Sequence, residues 1–349
     1  MNQFSGTWTK FVTTVGPASA SPEIIEGLIL NGSDMLRNNF AHCQYDEYTA
    51  RYNMLQEIKT KHGAETKMQA DLQGPNIRVG ILPDAGIPLD TDKEYTFYMN
   101  VGEPESSDEI LINDSTLHND VKAGEYITFM DGAIEGIVSW VKGHRIAVRI
   151  TSGGILMSRK SINVPDTNLS SPALTEKDYR DLDFLLNTAP GVDAIALSFV
   201  DSRKELDEVR AMIGSRDIKL ISKVERRRAI ANLQEIIDGS DIVMIARGDL
   251  GIEMPMEDIP VLQREITERC RWSKKAVITA TQMMLSITKN TRPTRAEVSD
   301  VANAVFAGSD AVMLSEETAA GIDPINSLAT MVKIVKRAEE AMYHRPNYF

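Results

Sequence analysis

Eight short apolar runs, spaced so that a helix fits between most neighbours, constrain this chain more than any other feature. They are KFVTTV (10–15), SDMLRNNF (33–40), TKMQADLQ (66–73), DAIALSF (193–199), KLISKV (219–224), DIVMIAR (241–247), KAVITATQ (275–282) and DAVMLSE (310–316). The run Ile242 to Ala246 has no period-2 alternation, so it is apolar on both faces, as a central parallel strand is. Ser21-Pro22 reads as an N-cap with proline at the first helical turn, leading EIIEGLILNG, which closes on Gly32. DPINSLATMVKIVKRAEEAM (323–342) spaces its apolar residues for one helix face. This number of strands alternating with helices predicts an α/β fold, the (β/α)8 or TIM barrel.

From about Asn76 to Pro165 the texture changes. KEYTFYMN, GEYITFMDG, AIEGIVSWV and HRIAVRI are short, β-branched and aromatic, with Gly, Asp and Asn turns between them. A small all-β, barrel-like module (76–165) is therefore expected after the third barrel strand, the barrel itself being 1–75 and 166–349. A barrel carries its active site at the C-terminal ends of its strands, so a module inserted there is expected to serve as a lid.

The 50 acidic against 38 basic residues give a formal charge of −12, which argues against nucleic acid or an anionic membrane as the main partner. The two cysteines, Cys43 and Cys270, have no metal-type spacing and suit a reduced, cytoplasmic compartment. MNQFSGTWTKFV lacks the pattern of a signal peptide, and no apolar run approaches the ~20 residues that span a bilayer.

Charged residues at the exit of a buried strand are costly unless they bind something. Here many exits carry them. The second run offers Arg37, Asn39 and His42; the third Asp71, with Arg78 beyond it. The fifth offers Lys223 and Glu225, the sixth Arg247, Gly248 and Asp249, the seventh Thr281 and Gln282, and the eighth Ser315, Glu316 and Glu317. Singly, each reads as a solvated or structural group; together, barrel geometry brings them to one mouth. Glu225 and Asp249 are hard oxygen ligands suited to Mg²⁺. Gly248 lets backbone N–H groups approach an anion, and Lys223 and Arg37 can neutralise a phosphoryl group. Thr281 offers a hydroxyl. The set suits an enolate formed or captured beside a phosphate.

In order along nearly the whole chain, TKFVTTVGPAS, LRNNFAH, DLQGPNIR, SINVPD…SSPALTEKD, ALSFV, LISKVE, ARGDLGIE, ATQMM, RPTRAEVSDVANAV and DAVMLSEETAAG resemble the motifs of the pyruvate kinase family. The resemblance implies phosphoryl transfer from phosphoenolpyruvate to ADP, giving pyruvate and ATP. By it, Lys223 stabilises the phosphoryl group and the enolate oxygen, Arg37 contacts phosphate, and Glu225 and Asp249 hold Mg²⁺ (or Mn²⁺). Thr281 belongs to the proton-delivery side. Backbone N–H groups around Arg247, Gly248 and Asp249 bind the substrate carboxylate. Pro17, His42 and Arg78 lie on the nucleotide side, and Lys160 resembles the lysine of the inserted module that reaches nucleotide phosphates. Asn39, Asp71 and the Leu72 carbonyl stand where the family holds K⁺.

The departures are informative. Ala41 replaces the serine ligand of K⁺, and Asn76 replaces a glutamate, so K⁺ dependence is expected to be weakened. Leu72 and Gln73 replace Thr-Lys, and Glu316 replaces a glycine. VERRRAI (224–230) places three arginines at a helix start, against the macrodipole; they are read as pairing with carboxylates at a subunit contact, or as binding an anion. The family's usual C-terminal effector domain has no counterpart after EEAMYHRPNYF, so a homodimer through barrel helices without sugar-phosphate regulation is expected. Three rival readings stand beside the leading one: a relative with another phosphoryl acceptor or enol substrate, a Mg²⁺-dependent lyase or aldolase, and a catalytically silent binding protein.

Overall fold

The computed structural model describes residues 1–170 and 172–343. Ser171 of SSPALTEKD and residues 344–349 of the expected barrel segment lie outside the described residues. The chain forms two compact units, one of Met1–Gly74, Leu174–Leu250 and Glu257–Phe349, the other of Pro75–Ala173 and Gly251–Met256.

The first unit is the expected barrel. Its strands are, in chain order, Lys10–Thr14, Met35–Asn39, Lys67–Asp71, Ala194–Leu197, Lys219–Val224, Ile242–Ala246, Ala276–Ala280 and Ala311–Leu314. All are parallel, and each pairs with its neighbours in sequence order until Lys10–Thr14 meets Ala311–Leu314 and closes the ring. Period-2 alternation sends one set of side chains inward, including Val12, Ala194, Ala196, Ile221, Met244, Ile278, Ala280, Ala311 and Met313. The opposite faces meet helices, as where Phe11, Val312 and Leu314 pack with Leu28, Val301, Leu328 and Met331. Both faces are covered, so the run Ile242 to Ala246 shows no alternation of polarity.

The helices start where their chemistry allows. Ser21 Oγ accepts the Ile24 N–H ahead of Pro22–Leu30, with proline in the first turn. Thr294 and Glu297 form a reciprocal capping box at the head of Arg295–Ala307.

The second unit is nearly all β. A six-stranded sheet runs in the order Ile162–Asn163, Tyr126–Phe129, Ile134–Lys142, Arg145–Ser152, Glu94–Met99 and Ile110–Ile112. Ile87–Leu89 and Gly154–Leu156 make a separate antiparallel pair, and Leu117–Asp120 adds one helical turn. Irregular pairing at Glu135/Gly136 and Val138/Trp140 bends Ile134–Lys142. The sheet curls around its own core, where Phe97 and Phe129 stack with ring centroids 5.0 Å apart.

Candidate active site

Strand alternation aims the chemistry. Ile221 faces the barrel interior, so Lys223 and then Glu225, two and four residues on, leave the fifth strand on the same face. Val12 sets Thr14 inward in the same way. Arg37 and Asp71 reach the same place from the second and third strands.

Lys223 sits at the centre. Its Nζ donates to Ser198 Oγ at 2.7 Å and lies 2.9 Å from Glu225 Oε1 and 3.3 Å from Asp71 Oδ1. Arg37 donates from Nε to Asp71 Oδ2 at 2.6 Å and from Nη1 to Thr14 Oγ1 at 3.0 Å. The Phe199 N–H donates to Glu225 Oε2 at 2.7 Å, and the Ser198 hydroxyl donates to the Leu72 carbonyl at 2.7 Å. Asp71 and Glu225 are each only 1% exposed.

Burying these charges is tolerable because they are mutually paired. Burial alone would drive Lys223 towards its neutral form. Asp71 and then Glu225 outweigh that effect, with Asp249 adding to it, and hold the ammonium protonated above the ordinary lysine range. Burial likewise opposes ionisation of Asp71, but Arg37 and Lys223 keep its carboxyl below the usual range. Glu225 Oε1 and Asp71 Oδ1 accept no well-aligned hydrogen bond despite their closeness to Lys223. The cluster thus presents two buried anionic oxygens with lone pairs to spare, beside two cations.

The exits themselves are strained. Phe199, Thr281 and Gln282 take φ of 56°, 66° and 53°, a left-handed conformation that costs a residue with a Cβ about 1–2 kcal/mol. Such outliers cluster where a site demands them. Thr281 Oγ1 accepts the Gly248 N–H at 2.8 Å and donates to the Ala280 carbonyl at 2.7 Å. Arg247 spends its guanidinium on scaffolding: Nη2 donates to the Thr281 carbonyl at 2.7 Å, and Nη1 to Asp300 at 2.8 Å and Gln263 at 3.2 Å.

The sequence profile described as pyruvate kinase, barrel domain, matches residues 7–328. The chain belongs to the pyruvate kinase family. A pyruvate kinase of Agrobacterium vitis is 38% identical over 337 residues, covering 97% of this chain and 70% of that protein. One of Corynebacterium efficiens is 40% identical over 334 residues, covering 95% of this chain and 70% of its own length. One of Geobacillus stearothermophilus is 38% identical over 344 residues, covering 97% of this chain and 58% of itself.

Other pyruvate kinase motif residues lie in different surroundings. Asn39 Oδ1 accepts the Ala41 N–H at 3.1 Å, and the Leu72 carbonyl, engaged with Ser198, keeps a second lone pair. Pro17 and His42 are exposed on the barrel unit. Arg78 and Lys160 belong to the β unit, where Arg78 pairs with Ser161 across a β-bridge and donates from Nη1 to the Arg159 carbonyl at 2.8 Å. Lys160 is exposed there. Among the described residues, no three His, Cys, Asp or Glu side chains cluster as a ready-made metal cage.

Sequence reasoning missed Ser198, Phe199 and Thr14. A search for charge at strand exits passes over Ser-Phe at the end of the fourth strand, and Thr14 sits inside an ordinary apolar run. The signal available was positional, since every other strand from the second to the eighth had yielded a polar exit.

Proposed function

We infer that this chain transfers the phosphoryl group of phosphoenolpyruvate to ADP, giving pyruvate and ATP. The observation that carries the reading is the Lys223 ammonium, held protonated in a buried cluster at the barrel's strand exits, beside Arg37 and carboxylate oxygens with free lone pairs. In that transfer the bond between phosphorus and the enol oxygen breaks, a terminal phosphate oxygen of ADP bonds to phosphorus, and the enolate takes a proton at its methylene carbon. Lys223 and Arg37 stabilise negative charge on the moving group and on the enolate oxygen, in a site where preorganised charges need no reorientation. Thr281 lies on the side from which the proton arrives.

Mg²⁺ fits the donor set. It takes one or two carboxylates and completes its octahedron with water and substrate oxygens. Glu225, through Oε1, which is ion-paired with Lys223 but keeps lone pairs to spare, and Asp249 would hold it. The ion supplies charge neutralisation for substrate oxygens. The test is consumption of phosphoenolpyruvate over a panel of nucleoside diphosphates, with products identified by mass spectrometry. No consumption with any acceptor would sink the reading, and formation of a product other than pyruvate would point to another enol substrate.

K⁺ dependence is weakened on this reading. Asn39, Asp71 and the Leu72 carbonyl are retained, but Ala41 supplies no hydroxyl. One missing oxygen ligand corresponds to a loss on the order of 1–3 kcal/mol in cation affinity. Residual activity in tetramethylammonium salts and a modest gain in potassium salts are expected, measured as kcat/KM at matched ionic strength. An absolute, tightly saturating K⁺ requirement would contradict this.

The chain also pairs as a homodimer in this proposal. Val261, Trp272 and Phe306 are 64%, 79% and 47% exposed on the outer helices Ile259–Trp272 and Arg295–Ala307. The two helices contact each other, and large exposed apolar residues are a feature of interaction surfaces.

A further inference from the structure

Arg226 follows Glu225 directly. Its guanidinium lies over the Phe199 ring, 4.7 Å from the centroid, and Nη1 donates to Asp201 Oδ2 at 3.2 Å. Asp201 is tied in turn through its carbonyl, which accepts from Asn232 Nδ2 at 2.8 Å. The segment so clamped is Ser198–Asp201. Ser198 Oγ accepts from Lys223, and the Phe199 N–H donates to Glu225 Oε2.

Phe199 cannot hold that pose cheaply. Its φ of 56° is a conformation that side chains with a Cβ avoid. On relaxing to an ordinary conformation its N–H would swing away from Glu225 Oε2, and that carboxylate would lose a short backbone anchor. Two features oppose relaxation. Gly74 leaves space for the ring, since a Cβ there would stand 3.0 Å from Phe199 Cδ2. The flat guanidinium of Arg226, fixed by Asp201, covers the ring.

We propose that Arg226 is a positioning residue for the divalent-cation ligand Glu225: by clamping Phe199 in its strained conformation it fixes the N–H that orients the Glu225 carboxylate, and so sets cation affinity. This rests on the reading of Glu225 as a Mg²⁺ ligand. Groups that orient a metal ligand commonly change affinity by about tenfold or more when removed. Loss of a merely structural ion pair would lower stability without moving cation affinity.

Mn²⁺ binding to the substrate-free protein, followed by the electron paramagnetic resonance signal of free Mn²⁺, tests it. Arg226→Met is expected to weaken Mn²⁺ binding about tenfold. Arg226→Lys should fall between it and the wild type, because it keeps charge over the ring but not the planar fork. In the metal-free protein, the Phe199 amide should exchange hydrogen faster in both variants. If Arg226→Met does not fold, Phe199→Leu removes the covered face instead, and the same weakening is expected. Unchanged Mn²⁺ affinity in the folded variants, with binding abolished in Glu225→Gln, overturns the positioning role and leaves the metal reading standing. Unchanged affinity in Glu225→Gln overturns the metal reading and this proposal with it.

Discussion

Lys223 carries the sharpest consequence of any single residue. An ammonium already paired with Asp71 and Glu225 gains most when negative charge develops in front of it, so its contribution falls on the transition state. Lys223→Met is therefore expected to lower kcat by about a hundred- to a thousandfold, the scale of one lost electrostatic contact. The KM for phosphoenolpyruvate should change little, as steady-state kinetics will reveal; near-normal turnover would remove Lys223 from the chemistry. Asp71 has a different role. Its carboxyl titrates below its ordinary range and Lys223 above its own. The stability Asp71 contributes is present above its unfolded value and is lost as pH falls through its lower folded value. The Lys223 contribution is complete below its unfolded value and is lost only as pH rises through its higher folded one. Asp71→Asn should thus cost about 3–5 kcal/mol, the scale of a broken buried pair. Its deficit in urea unfolding should stay flat from about pH 5 to about pH 9 and shrink in acid. A slope at neutral pH would show that some other group governs the cluster.

At the scale of elements, the loop after the third strand is as constrained as the strands. Gly74 takes φ of 67°, and a Cβ there would stand 2.9 Å from Ser198 Cβ and 3.0 Å from Phe199 Cδ2. Its N–H also donates to the buried Asp178 carboxylate at 3.1 Å. Gly74→Ala combines a left-handed backbone penalty with a clash, and about 2–3 kcal/mol of destabilisation is expected in urea unfolding. Ser198 and Phe199 are the neighbours that must move, and they hold Lys223 and Glu225. Activity should therefore fall more than stability alone explains. A variant as stable and active as the wild type would mean the loop can shift freely.

At the scale of the molecule, each unit has its own apolar core. No helix among the described residues is long and apolar enough to cross a membrane. On the proposed homodimer reading, the exposed Val261, Trp272 and Phe306 would lie at the contact. Sedimentation velocity at micromolar concentration should give a dimer, and Trp272→Glu should shift it to monomer, since a charge buried at an interface is costly. A wild-type monomer at all concentrations would remove the homodimer from the proposal.

The barrel was legible because its strands are covered on both faces: local composition alone marks such runs, and all eight recur as strands. The second unit was legible for the opposite reason, short β-branched and aromatic segments cut by turns. Lys223, Glu225, Arg37 and Asp71 were visible as charges at exits that burial would otherwise forbid. What the tertiary structure alone decided is which of them touch. Arg37 and Asp71 are 34 residues apart yet bonded, and Lys223 meets Ser198 across 25. Such partnerships depend on ring closure and register, which one strand's sequence does not encode. Nor could the chain announce the left-handed backbone at Phe199 and Thr281, because those residue types ordinarily avoid it. The neighbours that surround these two residues are themselves distant in sequence, Arg226 and Gly74 at one exit and Arg247 and Gly248 at the other.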